Sequence, residues 1–360
     1  MIHIFNLDIE SICNKIRANH AVLFSAGDKA REFCETQRLA PYISCIADNF
    51  RAGETLCVNG IEIPIVSYIE AASKAEDRLL LITSLKYADE IIQQLDRMEE
   101  FEGQKVYVQD MLNPVDSSDV PFENKAARIP RKIHYCWFGG NPVPREFERN
   151  IDTWKRICPD YEIVKWTEEN YDVGKNRYMR QAYEKKKWGF VADYARIDII
   201  NEHGGIYLDT DVEVIMPLDR LLTYRFFCGF ENYNYVNFGL GYGSEAGHRV
   251  LSELLALYDT MEFVRGDGSL NLIPCPYYQT LILEKHGLIR NGGTQIIGDG
   301  GIALAPEYMN PVNMYGCGKI TERTFSIHKY AGTWIDKGTK DGMNRETQNY
   351  RMLMETIETK

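Results

Sequence analysis

The run Gly204-Gly205-Ile206-Tyr207-Leu208-Asp209-Thr210-Asp211-Val212-Glu213-Val214 constrains this chain more than any other. Read as one strand, it puts Asp209, Asp211 and Glu213 on one face and Ile206, Leu208, Thr210, Val212 and Val214 on the other. The second face can pack on a core. The first crowds carboxylates about 7 Å apart, where they repel, raise one another's pKa or recruit a cation. A hard divalent cation takes one or two carboxylates and leaves its other positions to water and phosphate oxygens. Two readings of the run alone stay open beside this one. One is an edge strand with a solvated acidic face. The other is the Asp-Thr-Gly turn of aspartic proteases, from which the run departs because Asp211 stands where the glycine would be.

The segment just upstream, Asn176 to Gly204, has helical patterning with a break expected near Gly189, and it ends on a C-cap glycine. Asp193 and Arg196 are three residues apart and share a helix face. They read either as a surface ion pair of small consequence or as a pair facing the same cleft as the carboxylates. In that cleft the guanidinium fork would meet phosphate or carboxylate.

Before this region, residues 1–112 alternate short apolar runs (HAVLF, YISCIA, RLLLIT) with helical stretches, the pattern of an α/β unit with a parallel sheet. Only Gly27 of a dinucleotide fingerprint is present, so a structural or docking role and nucleotide binding both remain open. Residues 113–127 mix prolines and charges without apolar periodicity and read as a linker. Residues 128–360 form a second α/β domain closed by a C-terminal helix over the tail NRETQNYRMLMETIETK.

Net charge is −11, which excludes nucleic acid as a partner on electrostatic grounds and requires a local basic group or a metal ion wherever an anion binds. The nine cysteines are scattered, with no C-x-x-C pair, so neither a zinc site nor a disulfide framework is expected. No signal peptide or membrane-spanning run is evident, and a cytoplasmic location is expected, with peripheral contact at the inner face of the membrane left open.

Three blocks, IPRKIHYCWFGG, ADYARIDIINEHGGIYLDTDV and SIHKYAGTW, in this order, resemble the glycosyltransferase family of sugar-binding regions containing a D-x-D motif. That family includes capsule and lipopolysaccharide glycosyltransferases and is similar to the clostridial glucosylating toxins. The resemblance spans about residues 128–335 and implies a GT-A fold. Residues 1–110 resemble the Rossmann-like N-terminal domain of sugar O-acetyltransferases.

The resemblance implies that Asp209 and Asp211 hold Mn2+ or Mg2+ on the diphosphate of a UDP- or GDP-sugar, with Asp193 and Arg196 at the donor sugar. It implies Trp137 at the nucleobase, Gly139 and Gly140 close to the nucleotide, and Asn237, Lys329 and Trp334 as further donor contacts. His328 falls where such enzymes bring a C-terminal ligand to the metal, and neutral imidazole suits Mn2+. Tyrosines 233, 235 and 242, and the stretch Tyr277-Tyr278-Gln279, are candidates for the acceptor cleft. The implied activity is hexosyl transfer with retention to a saccharide acceptor, free or lipid-linked, in capsular or lipopolysaccharide assembly. A glucosylating effector acting on protein and a non-catalytic nucleotide-sugar-binding module are the alternatives.

Overall fold

The computed structural model describes residues 1–116, 120, 122, 126–298, 300–332 and 337–357. The chain divides into two compact units, one made of Met1–Asp116 with Asp336–Lys360, the other of Ser117–Ile335. No helix among the described residues is long and apolar enough to cross a membrane.

The first unit holds seven strands: β1 (His3–Ile4), β2 (Ala21–Phe24), β3 (Ile43–Ala47), β4 (Thr55–Val58), β5 (Ile61–Val66), β6 (Leu79–Ile82) and β7 (Lys105–Val108). Their order is β1-β7-β6-β2-β3-β5-β4, and every pair is parallel except β4 with β5. Parallel neighbours need crossovers, supplied here by α1 (Ile9–Asn19), α2 (Asp28–Thr36), α3 (Tyr68–Ala72) and α4 (Ala88–Asp96). Helices on both faces explain the unbroken apolar sequences AVLF in β2 and LLLI in β6, where every position is buried.

The C-terminal helix, taken from sequence order as part of 128–360, belongs instead to this first unit. Leu353 on the helix at Lys337–Thr356 is 1% exposed. Asn349 donates to the carbonyls of Leu85 (2.9 Å) and Lys86 (3.1 Å) and to Asp89 (3.1 Å), while Arg345 pairs with Asp89 and Glu90. The Leu85 carbonyl already accepts from Ala88 N–H within the short turn before α4, and the asparagine amide adds a second donor to it, tying α11 to that turn. The second unit is therefore inserted into the first. Of the expected linker, Asn113 bridges Asp8 within the first unit, whereas Val120 and Phe122 pack in the second, Phe122 edge-on to Phe325. Residues 117–119, 121 and 123–125 of it lie outside the described residues.

The second unit is built on β8 (Lys132–Cys136), β9 (Glu162–Trp166), β10 (Gly205–Tyr207), β11 (Val212–Val214), β12 (Phe226–Gly229), β13 (Tyr242–Ser244), β14 (Gln295–Ile297), β15 (Gly301–Leu304) and β16 (Ser326–His328). Seven form a mixed sheet in the order β14-β15-β12-β13-β10-β8-β9, and β11 pairs with β16 in a separate antiparallel ribbon. The helices are α5 (Arg145–Ile157), α6 (Arg177–Glu184), α7 (Trp188–His203), α8 (Arg249–Asp259), α9 (Cys275–Lys285) and α10 (Pro306–Met309), and the C-terminal helix is α11. The expected break near Gly189 lies slightly earlier, at Lys185–Lys187, where Lys186 takes φ 56°, and Gly189 sits inside α7. Gly204 (φ 63°) and Gly205 (φ 104°) turn the chain from α7 into β10. A Cβ on Gly205 would stand 2.9 Å from both the His134 ring and the Lys132 carbonyl, so only glycine fits the turn.

Leu353→Ala is expected to destabilise the first unit by about 2–4 kcal/mol through lost burial and the cavity left behind. Urea unfolding followed by a probe in residues 1–112 measures this. An unchanged midpoint would show that α11 does not stabilise that unit.

Candidate functional site

The acidic run is not one strand. β10 ends at Tyr207, Leu208 still donates to the His134 carbonyl, and the chain then turns, Val212 N–H closing on the Asp209 carbonyl at 3.0 Å before β11 begins. The apolar alternation survives the turn, since Ile206, Leu208, Val212 and Val214 are all buried. The acids part company. Asp209 and Asp211 stay at the turn, while Glu213 moves onto the ribbon and pairs with Lys329 at 2.9 Å. The cause is α5. Asn150 donates to the Thr210 carbonyl (2.9 Å), the Trp154 indole to the Val212 carbonyl (2.8 Å), and Thr153 accepts from Val214 N–H (3.0 Å). These three residues share one helix face and fasten the backbone of the turn.

Arg196 and Asp193 are not a surface pair. Arg196 is 3% exposed and Asp193 7%. The guanidinium meets Asp193 at 3.0 Å and Asp209 at 3.5 Å, donates to the Ala192 carbonyl, and lies 5.1 Å from the centre of the Tyr207 ring. Burial raises Asp193 to about 6 against the pull of Arg196, with the Cys275 thiol beside it. Burial also raises Asp209, opposed by Arg196 and reinforced by Asp211.

The ribbon brings His328 to the turn. Its Nε2 stands 3.2 Å from Asp211, whose other oxygen accepts from Ala331 N–H at 3.0 Å. Burial opposes charge on the ring, but the hydrogen bond and charge of Asp211, with Asp209 and Glu231, raise the His328 pKa overall. Asp211 is lowered: burial would raise it, and His328 outweighs burial. Ligand atoms of Asp209, Asp211 and His328 lie within 4.8 Å of one another. Nδ1 of His328 is buried and finds no hydrogen-bond partner among the described residues. Two carboxylates and an imidazole with an unsatisfied nitrogen fit a divalent cation of Mn2+ type.

Behind this cluster lies Glu231, which no sequence pattern singled out. Asn237 donates to it at 3.3 Å, the Tyr330 hydroxyl lies against it, and burial raises its pKa. Asn237 also accepts from Gly239 N–H at 2.7 Å, and the Gly239 carbonyl accepts from Asp209 N–H at 3.4 Å. A Cβ on Gly239 would lie 2.5 Å from the Asp209 carboxylate and 2.9 Å from the Asn237 carbonyl oxygen. Asn237 thus holds the loop that backs Asp209.

The other candidates divide. Trp137 is half-buried, its indole N–H on the Asn141 carbonyl and its ring against Phe147. Gly139 (φ 98°) is approached closely, but by the Trp188 indole, 2.8 Å from where its Cβ would be, and its N–H donates to Glu168. Gly140 (φ 71°) has open space around it. Lys329 is bound by Glu213 and Asn150 (2.9 Å each). Trp334 lies outside the described residues. Tyr242 is fully buried with its hydroxyl on the Arg196 carbonyl, and Tyr233 is also buried, so neither offers a face to a sugar. Gln279 is buried and accepts from Phe238 N–H. Tyr278 is buried against Asn271, while Tyr277 remains exposed.

Residues 144–227 match the family described as glycosyltransferase sugar-binding region containing DXD motif, a segment that includes α5, α7 and the turn. Inositol phosphoceramide mannosyltransferase 3 of Schizosaccharomyces pombe is 33% identical over 111 residues, 29% of this chain and 30% of the relative. An uncharacterized glycosyltransferase of Acanthamoeba polyphaga mimivirus is 26% identical over 200 residues, 52% of this chain and 75% of the relative. Among solved structures, the PaToxG glycosyltransferase is similar at a TM-score of 0.35 and 19% identity, over 44% of this chain and 68% of that one. The chain spans about a third of the length of the mannosyltransferases it matches.

Mn2+ affinity, measured by calorimetry, is expected to rise as pH climbs through the raised pKa of His328, by roughly tenfold per unit while that proton must be displaced. His328→Gln should flatten the slope, and a pH-independent affinity in the parent protein would remove His328 from the ligand set. Gly239→Ala must push the Asp209 carboxylate aside. It should weaken Mn2+ binding by roughly 10- to 100-fold, as for loss of a supporting contact, with little change in melting temperature.

Proposed function

We propose that this chain, whose residues 144–227 match the glycosyltransferase sugar-binding region family, transfers a hexose from a UDP- or GDP-sugar to a saccharide or lipid-linked acceptor. The observation that carries the reading is the convergence of Asp209, Asp211 and His328 beside a buried Asp193–Arg196 pair. Asp209, Asp211 and His328 would hold Mn2+ or Mg2+. When bound, the ion supplies Lewis-acid charge to a leaving diphosphate.

The chain's own residues do the rest. Arg196 is fixed by Asp193, Asp209 and the Ala192 carbonyl, and it presents positive charge beside the turn without reorganisation at the moment of reaction. Asp193, desolvated and near pKa 6, accepts from donor-sugar hydroxyls. Glu231 and Asn237 keep the Gly239 loop and hence Asp209 in place. The family resemblance implies retention by front-face attack. The acceptor oxygen bonds to the anomeric carbon as the bond to the diphosphate breaks, and the departing phosphate oxygen takes the acceptor proton. The name of the fission-yeast relative favours mannose and a lipid-borne acceptor, and capsule or lipopolysaccharide assembly at the inner membrane face is the setting we infer.

Release of UDP or GDP from a panel of nucleotide sugars with Mn2+ tests the reading. One donor should turn over, and Asp211→Asn should lower that turnover by roughly two to three orders of magnitude, the scale set by loss of an oriented electrostatic group. Donor binding without release from any sugar, with or without saccharide acceptors, would leave a non-catalytic binding module.

A further inference from the structure

Between α6 and α7 the second unit carries three consecutive lysines, Lys185, Lys186 and Lys187, in a chain of net charge −11. Their backbone is fixed. Lys187 N–H closes on the Ala182 carbonyl and Lys186 N–H on the Tyr183 carbonyl, both at 2.9 Å, and Lys186 takes φ 56°. This is the Schellman closure of a helix C-terminus, in which the left-handed position is normally glycine. Here a lysine holds it, at a cost in backbone strain.

Local stability does not explain these residue choices. Lys187 is also the N-cap of α7, makes no side-chain cap hydrogen bond, and puts a cation at the positive end of that helix's dipole. Only Lys185, at the C-cap of α6, stands where a helix favours a cation. Lys185 and Lys186 are exposed, as is Arg180 on α6, and Lys187 is half-buried. None of these four cations has a carboxylate partner among the described residues, and Glu184 is the one acid between Arg177 and Trp188. Arg177 itself is taken by Glu262 at 2.6 Å.

A second observation concerns what meets these charges. Trp188 packs edge-to-face with Tyr183 (5.2 Å), and its indole lies 2.8 Å from where a Cβ of Gly139 would stand, so the junction is seated against the loop after β8. Both rings are engaged in that packing, whereas single-stranded nucleic acid asks for open aromatic faces on which to stack its bases. The junction instead presents compact, strongly hydrated charges on flexible stems, and these suit a surface of many loosely ordered phosphates better than one planar or bidentate ligand. We propose that the α6–α7 junction docks the chain on an anionic membrane surface, with Arg180, Lys185, Lys186 and Lys187 meeting the lipid phosphates. The charge argument stands whether or not the chain transfers sugar. Its consequence for the acceptor rests on the transfer reading: docking there brings the Gly139–Gly140 loop toward the membrane that would carry a lipid-linked acceptor.

Co-sedimentation of the full chain with phosphatidylcholine vesicles, with and without phosphatidylserine, tests it. No sugar donor is present, so the outcome is separate from that of the donor panel. The chain should bind only the vesicles containing phosphatidylserine, and less as salt is raised. Lys186→Gly should weaken that binding roughly fivefold, the scale of one basic residue at an anionic surface. Its melting temperature should not fall, because glycine suits φ 56°. Lys185→Ser added to it should bring the loss to roughly 20- to 30-fold. Equal recovery on both vesicle types, no binding to either, or wild-type binding by either variant overturns the proposal. Binding of polyglutamate or single-stranded DNA in calorimetry by a chain that ignores the vesicles would also overturn it, in favour of an acidic protein segment or nucleic acid.

Discussion

A guanidinium buried to 3% exposure governs the second unit. An unpaired charge in that position would cost several kcal/mol, so the chain around Arg196 has to supply partners. It does so with Asp193 one helical turn earlier, Asp209 past the end of β10, the Ala192 carbonyl and the face of Tyr207. These partners tie α7 to the end of β10 and draw Asp209 inward. Asp211, the next acid, is then neutralised by His328 from β16. Asp209 thus faces Arg196, and Asp211 faces His328. A divalent cation entering the cluster would take over from the His328 proton, which is why cation affinity and pH are linked here.

The backbone of the turn has a separate support. α5 grips three consecutive stretches of it with Asn150, Trp154 and Thr153, and the Gly239 loop closes on it from the other side. Asn237 and Glu231 brace that loop. Ligands held at a turn between short strands are positioned only as well as such outer contacts allow. Removing Glu231 or Asn237 therefore acts on the site without touching its carboxylates.

Much of this was legible in the chain. The apolar positions Ile206, Leu208, Val212 and Val214 of the period-two pattern are buried even though the strand breaks, whereas Thr210 of the same face is half-exposed at the turn and Tyr207 of the opposite face is buried under Arg196. The parallel sheet of the first unit followed from apolar runs such as LLLI alternating with helices. The destination of α11 did not, because nothing local to its sequence distinguishes docking on Leu85–Asp89 from docking on the unit that precedes it in the chain. Glu213, read as a third member of the carboxylate row, pairs instead with Lys329 on the ribbon, while the neighbouring His328 faces the cluster. Glu231 escaped notice because a single glutamate among asparagines and tyrosines has no spacing to mark it, and its role depends on a loop folding back.

Anomalous diffraction at the manganese edge, from crystals grown with Mn2+ and a nucleoside diphosphate, tests the central claim most directly. One strong peak is expected among Asp209, Asp211 and His328, with diphosphate oxygens completing its coordination and the Arg196 guanidinium still on Asp193 and Asp209. A nucleotide bound elsewhere, or bound at the turn with no manganese between these three side chains, would contradict it.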